Sequence, residues 1–530
     1  VVAIASAAMK QLLHLVGALL VLLRGGLLSN EATAQVRFNQ HHVFSPPAGY
    51  SFLDQIRPRT GGYITIGNRT ITAGGMRELL VTLLDTVGTV TSQRVYAHDS
   101  VSYTGGMAGA LIALPTGGYV QSGQQQDFRW NQRRRAMLWW FDEQGDTVRT
   151  TTYSAPPHSL YANHVCRLAS GGFVLVGSVT RPRNSVGGFS DWFAIGTDAR
   201  GRERWRRTWH LLGDGLALNA TATPDGGALI TGIARPQLQW TDYFYRNHMA
   251  AVKIDSTGTT EWQRVYADST EGTAAYCVPG GYVIGGSYVY LRTPVRTLER
   301  VALYRLDSVG NLLSRRDYGP EMDNATSMRM HQLADGSLVL GGISSDASQR
   351  PTTGVSAITG FALKLCPDGD SVWYRTYRYY SNPNCNNYLW DFVPTPDGGF
   401  AGAGFLHARA AGGLAAEAWV FKTDADGYVT AGGAPSGVVC IPVGLPGVGA
   451  GAAPAPVQVW PNPAPDGRFR LGGALPGTTY AVLDATGRVV ATGTVRAAEP
   501  ELDLGAQAPG LYLLRLTWPN GRTGTCKLIR

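Results

Sequence analysis

The sequence predicts an all-β protein, a seven-bladed β-propeller followed by a small C-terminal immunoglobulin-like β-sandwich. Three observations predict it. A glycine turn followed by a short apolar strand recurs seven times. Each of these anchors precedes a second turn of the form Asp-x-x-Gly, and then a strand rich in aromatic and β-branched residues. Beyond the repeats a Gly, Ala and Pro-rich stretch leads into strand runs broken by Asn, Asp and Gly.

The anchors begin at Gly61, Gly117, Gly171, Gly226, Gly280, Gly336 and Gly398, in steps of 56, 54, 55, 54, 56 and 62 residues. Chance does not give that regularity. The second turns are Asp85/Gly88, Asp142/Gly145, Asp198/Gly201, Asp255/Gly258, Asp307/Gly310 and Asp424/Gly427; the sixth repeat places Cys366 and Gly369 there instead. Glycine supplies the positive φ that hairpin turns need. Aspartate accepts hydrogen bonds from its own turn backbone. Asp424-Ala425-Asp426-Gly427 offers too few oxygens for calcium, so turn chemistry is the expectation there as well. Each unit then holds four strands, and four-stranded units repeated around an axis make a propeller. The final strand near 428–430 is stunted. Residues 36–39, with Phe38 at the aromatic place, are therefore expected to complete the last blade.

Taken in order, residues 1–34 read as a signal peptide, with a misassigned start over 1–8. Lys10 precedes an apolar run too short to span a bilayer, and Ala32-Thr33-Ala34 is a small-x-small cleavage site. Residues 35–431 are the propeller, 432–456 a linker and 457–530 the small sandwich. No other stretch reads as a transmembrane helix. The net charge of +8 rests on arginine, with five lysines in the chain. We read it as codon bias, so nucleic acid is not an expected partner. The six cysteines show no CxxC spacing; Cys366 and Cys385 are the closest candidates for pairing in an exported chain.

No catalytic residue is assigned. The chain has no Gly-x-Ser-x-Gly elbow, no His-Glu-x-x-His and no phosphate loop, and no metal or cofactor is expected. His41-His42 reads as an exposed pair. The ligand-binding candidates lie in two aromatic loops. Trp240, Tyr243 and Tyr245 stand in one, Trp390 and Asp391 in the other, which spans 379–391. Such rings stack on sugars or peptides, or pack on a neighbouring blade. Asp214, Glu271 and Asp323 begin further entry loops, as turn carboxylates or as part of a central mouth.

Lys253-Ile254-Asp255 with Gly258 and Trp262 resembles repeats common in exported proteins of the Bacteroidetes type. It is also similar to the tryptophan-docking motif of quinoprotein propellers, although no cofactor constellation accompanies it. The C-terminal module resembles the type A sorting domain of the type IX secretion system over 457–530. The motifs are Pro461-Asn462-Pro463 with Gly467, Asp484 with Gly487 and Arg488, Gly510-Leu511-Tyr512, and Lys527 near the end. That resemblance implies the type IX machinery as a partner and passage through the periplasm. It further implies release or attachment at the outer-membrane surface. The expected function is a secreted or cell-surface binding protein for a glycan or protein. The rivals are an extracellular polysaccharide hydrolase or lyase, and a structural or adhesion protein.

Overall fold

The computed structural model describes residues 35–430 and 458–530. Excepted are 45–48, 71–75, 129–132, 181–189, 237–246, 267–269, 294–295, 347–357, 381–384, 409–415, 461, 463, 465, 473–475, 485–487, 497–500 and 518–522. All regular structure among the described residues is β-strand, and no helix there is long and apolar enough to cross a membrane. The chain divides into two compact units, Val1–Val443 and Gly444–Arg530.

In the first unit the repeats fold into antiparallel sheets in chain order. The first sheet runs Ser51–Arg59, Gly62–Thr70, Arg77–Leu84, Val90–Tyr96 from its inner to its outer edge. The second, third and fourth repeats follow the same plan, except that the inner strand of the second is broken into Val101–Gly105 and Leu111–Ala113. The fifth and sixth repeats share one seven-stranded sheet. Its middle strand, Leu312–Gln332, is the outer strand of one repeat and the inner strand of the next. The expectation of separate four-stranded units fails there because no turn separates those two roles. In the last repeat Phe38–His42 pairs with Ala416–Thr423, from Phe38 opposite Lys422 to His42 opposite Ala418. The N-terminal strand thus joins the last sheet, two residues later than 36–39, and 428–430 form no strand. His41 and His42 sit half-buried on it rather than exposed.

Apolar cores lie between successive repeats. Ile64, Val81 and Leu83 of the first meet Leu111, Trp139 and Phe141 of the second. Leu53, Ile56 and Leu80 of the first meet Phe38, Ala403 and Val420 of the last. The circuit is therefore closed, which is the arrangement of a β-propeller. Alternation on the strands buries one set of side chains against each neighbour.

The turns fold as their chemistry dictates. Asp85 Oδ1 accepts the N–H groups of Val87 and Thr89 at 3.0 and 2.8 Å, and Gly88 has φ +86°. Asp424 Oδ1 does the same for Asp426 and Tyr428 and its Oδ2 accepts from Arg37 at 2.7 Å, so this carboxylate is committed to the turn. The turn glycine has a second use, because an aromatic ring of the preceding repeat lies on it. A Cβ at Gly258 would stand 2.5 Å from the Trp205 indole, one at Gly310 2.7 Å from Trp262, and one at Gly88 2.7 Å from Phe38. Tyrosines at the ends of the outer strands then bond to the next turn. Tyr153, Tyr266 and Tyr318 donate to the carbonyls of Gly201, Gly310 and Gly369 at 2.6, 2.8 and 2.7 Å.

Cys385, Cys166, Cys277 and Cys526 are not in disulfides, while Cys366 is in a disulfide whose partner lies outside the described residues. Cys366 and Cys385, the nearest two in sequence, are therefore not paired with each other. Antiparallel order puts the turn holding Cys366 at one end of its sheet, and the start of the inner strand Cys385–Pro394 at the other.

The second unit has two antiparallel sheets. Gln458–Trp460, Arg468–Gly472 and Glu501–Asp503 form one, and Val489–Thr494, Thr479–Leu483, Leu511–Thr517 and Thr523–Ile529 the other. Phe469 and Leu502 of the first share one core with Val482, Leu514 and Leu528 of the second.

Candidate functional site

Six of the inner strands carry a β-bulge at a corresponding place. The register shifts fall between Leu53/Gln55, Ala162/His164, Ala217/Asn219, Gly272/Ala274, Ser327/Arg329 and Leu389/Asp391. A bulge re-aims the side chains around it. Here five of the six residues that resume the register are polar: Gln55, His164, Asn219, Arg329 and Asp391. The broken strand of the second repeat brings the loop 106–110 to the same region.

Asp391 is fully buried. Its Oδ2 accepts from Arg57 Nη1 at 2.5 Å and from the Ile56 N–H at 3.0 Å. Its Oδ1 lies 3.6 Å from Arg329 Nε and makes no hydrogen bond. Arg329 Nη1 stands 3.4 Å from His164 Nε2, although the two residues are 165 positions apart. First, third, sixth and last repeats thus meet at one point, which marks the axis of the circuit. The loop passes there only because it has no side chain at Gly109. A Cβ on Gly109 would lie 2.0 Å from Arg329 Nη1 and 2.6 Å from His164 Nε2, and its φ is +85°. Gln55 fixes the loop by donating to the carbonyls of Gly106 and Met107 while accepting from the Leu111 N–H at 3.3 Å.

The electrostatics follow from enclosure. Burial raises the Asp54 carboxyl to about 8, with Arg77 pulling it down and Asp391 pushing it further up. Asp54 itself is half-buried. Burial chiefly, then Arg329 and Arg57, keeps His164 and His331 neutral well below the usual imidazole range. Arg329 itself falls to about 10, from burial and Arg57 against the pull of Asp391.

Among the described residues, Asp391 is the one expected ligand-binding residue that reaches this cluster. Trp390 is the extra residue of the bulge; its half-buried ring stacks on Phe405 at 6.3 Å instead. The expected loop over 379–391 is thus partly the inner strand Cys385–Pro394. Trp240, Tyr243 and Tyr245 lie outside the described residues. Asp214 and Glu271 are strand residues: Asp214 accepts the Ser190 N–H at 2.8 Å, and Glu271 accepts from Asn247 Nδ2 at 2.9 Å. Arg57, Arg329, His164 and Asp54 were not singled out from sequence. Among the described residues no group of three or more His, Cys, Asp or Glu is placed to hold a metal.

A second feature lies at the outer edge of the last sheet. A cavity of ≈ 450 Å³ is lined by Asn39, Thr376, Tyr377, Arg378, Trp419 and Val429. Beside it Glu417 Oε2 bonds to His41 Nδ1 at 2.6 Å and accepts from the Tyr380 hydroxyl at 3.0 Å.

In the second unit the motif residues hold turns and strand ends. Asn462 donates to the Lys527 carbonyl at 2.7 Å and accepts the Ile529 N–H at 2.9 Å. Gly467 takes φ +76°. Asp484 accepts from the backbone and side chain of Arg488 at 3.1 and 3.0 Å. Gly510 and Arg530 exchange two backbone bonds of 3.0 Å, and Tyr512 donates to the Ala508 carbonyl at 2.5 Å. Leu511 is half exposed. Pro461, Pro463 and Gly487 lie outside the described residues.

No family model matches the chain, and no curated protein matches it. Among solved structures it is similar to the WD40 domain of Neurospora crassa Pan2, at 7% identity over 70% of this chain and 89% of that one, with a TM-score of 0.38. An apocarotenoid oxygenase from Synechocystis matches at 11% identity over 64% and 74%, with a TM-score of 0.39. The GH43 endo-arabinanase of Bacillus licheniformis matches at 14% identity over 50% and 97%, with a TM-score of 0.28.

Proposed function

We propose that the chain is a seven-bladed propeller that binds a glycan or protein ligand at its axial mouth. In this reading the seven-stranded sheet is two blades joined by one long strand. One observation carries the binding role: Arg57 Nη2 is buried at the axis without a hydrogen-bond partner, and Arg329 Nε and Asp391 Oδ1 stand 3.6 Å apart, ion-paired without a hydrogen bond. A group that only stabilised the ring would be paired. Asp391 is tied to Arg57 and the Ile56 amide, which leaves it poorly placed as a nucleophile. A hydrolase is the second reading, favoured by the contrast between a protonated Asp54 and the ion-paired Asp391.

The 457–530 module is, in the same proposal, an immunoglobulin-like type IX sorting domain that takes a secreted chain to the cell surface. Its support is the ordered motif set, from Asn462 to Lys527. A glycan array probed with the full chain tests the binding role; no signal on any glycan or surface protein would leave a structural role. Reducing-sugar release from a polysaccharide panel, abolished by Asp54→Asn, would instead establish the hydrolase. Fractionation of cells expressing the chain with and without 457–530 tests export. The truncated form is expected to be retained in the periplasm.

A further inference from the structure

The axial cluster has more donors than acceptors. The Ala220 N–H donates to His164 Nδ1 at 3.3 Å. A neutral imidazole bonded in that way carries its proton on Nε2. That N–H faces Arg329 Nη1 at 3.4 Å, which is also a donor. Two donors facing each other gain nothing unless an acceptor sits beside both. Arg57 Nη2 is buried without a hydrogen bond, and Arg329 Nε has only the 3.6 Å ion pair to Asp391 Oδ1; Arg57 is 8% exposed. The charges are also uneven. Two guanidinium groups face the single carboxylate of Asp391, and the neighbouring Asp54 is held neutral near pH 7. An uncompensated buried cation is costly. A planar guanidinium fork matches a carboxylate better than it matches any other common group.

We propose that the donors of Arg57, Arg329 and His164 at the propeller axis form a receptor for the carboxylate group of a ligand. This rests on the binding role proposed above and narrows it to acidic ligands. A uronic acid residue of a polysaccharide and a free small organic acid both carry the group. Gly109 borders the site: it packs closely on Arg329 and His164, and a Cβ there would clash with both and displace the donors.

Calorimetric titration of the full chain at constant ionic strength tests the assignment, with glucuronate and galacturonate against glucose and galactose, and acetate alone. The acidic sugars are expected to bind at least ten times more tightly than their neutral parents, with acetate competing. Arg329→Gln should remove that preference. Because this variant risks misfolding, the acetate competition is run on the unaltered chain, and Gly109→Ala supplies an independent block. Neutral and acidic sugars binding equally would overturn the carboxylate site and leave the glycan-binding role standing. Acetate binding that Arg329→Gln abolishes, with no affinity for any sugar, would support the site for a free acid and count against glycan binding. No response to any anion would mean that the donors hold only water, and the proposal fails.

Discussion

At the scale of single residues the axis is governed by desolvation. Asp54 shows this most simply, since burial chiefly, with a smaller push from Asp391 and against the pull of Arg77, favours its neutral form and lifts it to about 8. In an unfolded chain the same carboxyl titrates near its ordinary value of about 4. The folded protein therefore has the full benefit of a neutral Asp54 below pH 4. That benefit is lost as pH rises through 8. His164 and His331 act in the opposite sense, because their folded pKa values are depressed. Their contribution is present above about 6.5 and lost as pH falls. Between about 6.5 and 8 Asp54 acts without opposition from them. The melting temperature of Asp54→Asn, relative to the unaltered chain, should therefore rise steadily from pH 5 to pH 8 and level off beyond. A difference that stays flat across this range would show that Asp54 is not held protonated.

At the scale of elements, the repeats differ in whether a buried lysine ties their two turns together. Lys253, at 1% exposure, reaches Asp225 of its own glycine turn at 2.7 Å, and Lys422 reaches Asp397 at 2.9 Å. The sixth repeat has Lys364 and Asp335 at the same places. The other four repeats have neither the lysine nor the aspartate. They place Leu83, Trp140, Gly196 or Arg305 opposite Thr60, Thr116, Ser170 or Pro279. Presence and absence go together because a buried ammonium without its carboxylate is expensive. Asp225→Ala should cost about 2 kcal/mol, less than for a fully enclosed pair, because Glu261 and the Ile254 carbonyl remain near Lys253. Adding Lys253→Met should recover most of that loss, as a double-mutant cycle in urea would show. Equal losses in the single and double variants would mean that the lysine is not what makes the aspartate necessary. The tyrosine contacts between repeats make a parallel case. Tyr153→Phe removes one bond to the Gly201 carbonyl from a buried site, and it should cost about 1 to 2 kcal/mol by thermal or chemical denaturation.

At the scale of the whole ring, what was legible in the sequence and what was not divides along one physical line. Turn glycines, Asp-x-x-Gly and the aromatic place at Phe38 are local and periodic, so a single chain displays them. The axial cluster is neither. It draws one residue from each of several repeats, and Arg57 and Asp391 are 334 positions apart. It also depends on bulges, which leave no mark in the sequence. Trp390 and Asp391 read in the sequence as members of one loop over 379–391 that combines aromatics with a carboxylate. The bulge between Leu389 and Asp391 separates them, one to a ring stack and the other to the axis. Closure of the ring by Phe38–His42 was legible because the last repeat lacks an outer strand of its own. That closure makes the N-terminal strand responsible for two interfaces at once. Phe38 pairs opposite Lys422 in the last sheet, and it packs on Gly88 and Tyr63 of the first. Phe38→Ala should cost about 3 kcal/mol, the usual loss for a large buried ring. The damage should also be local, because each repeat shares cores only with its neighbours. Native-state hydrogen exchange should therefore quicken first at Ala416–Thr423 and Val90–Tyr96, while Phe173–Thr180 in the third repeat keeps its protection. Uniform loss of protection around the ring would mean that the circuit opens as one unit, and that no single strand acts as its closure.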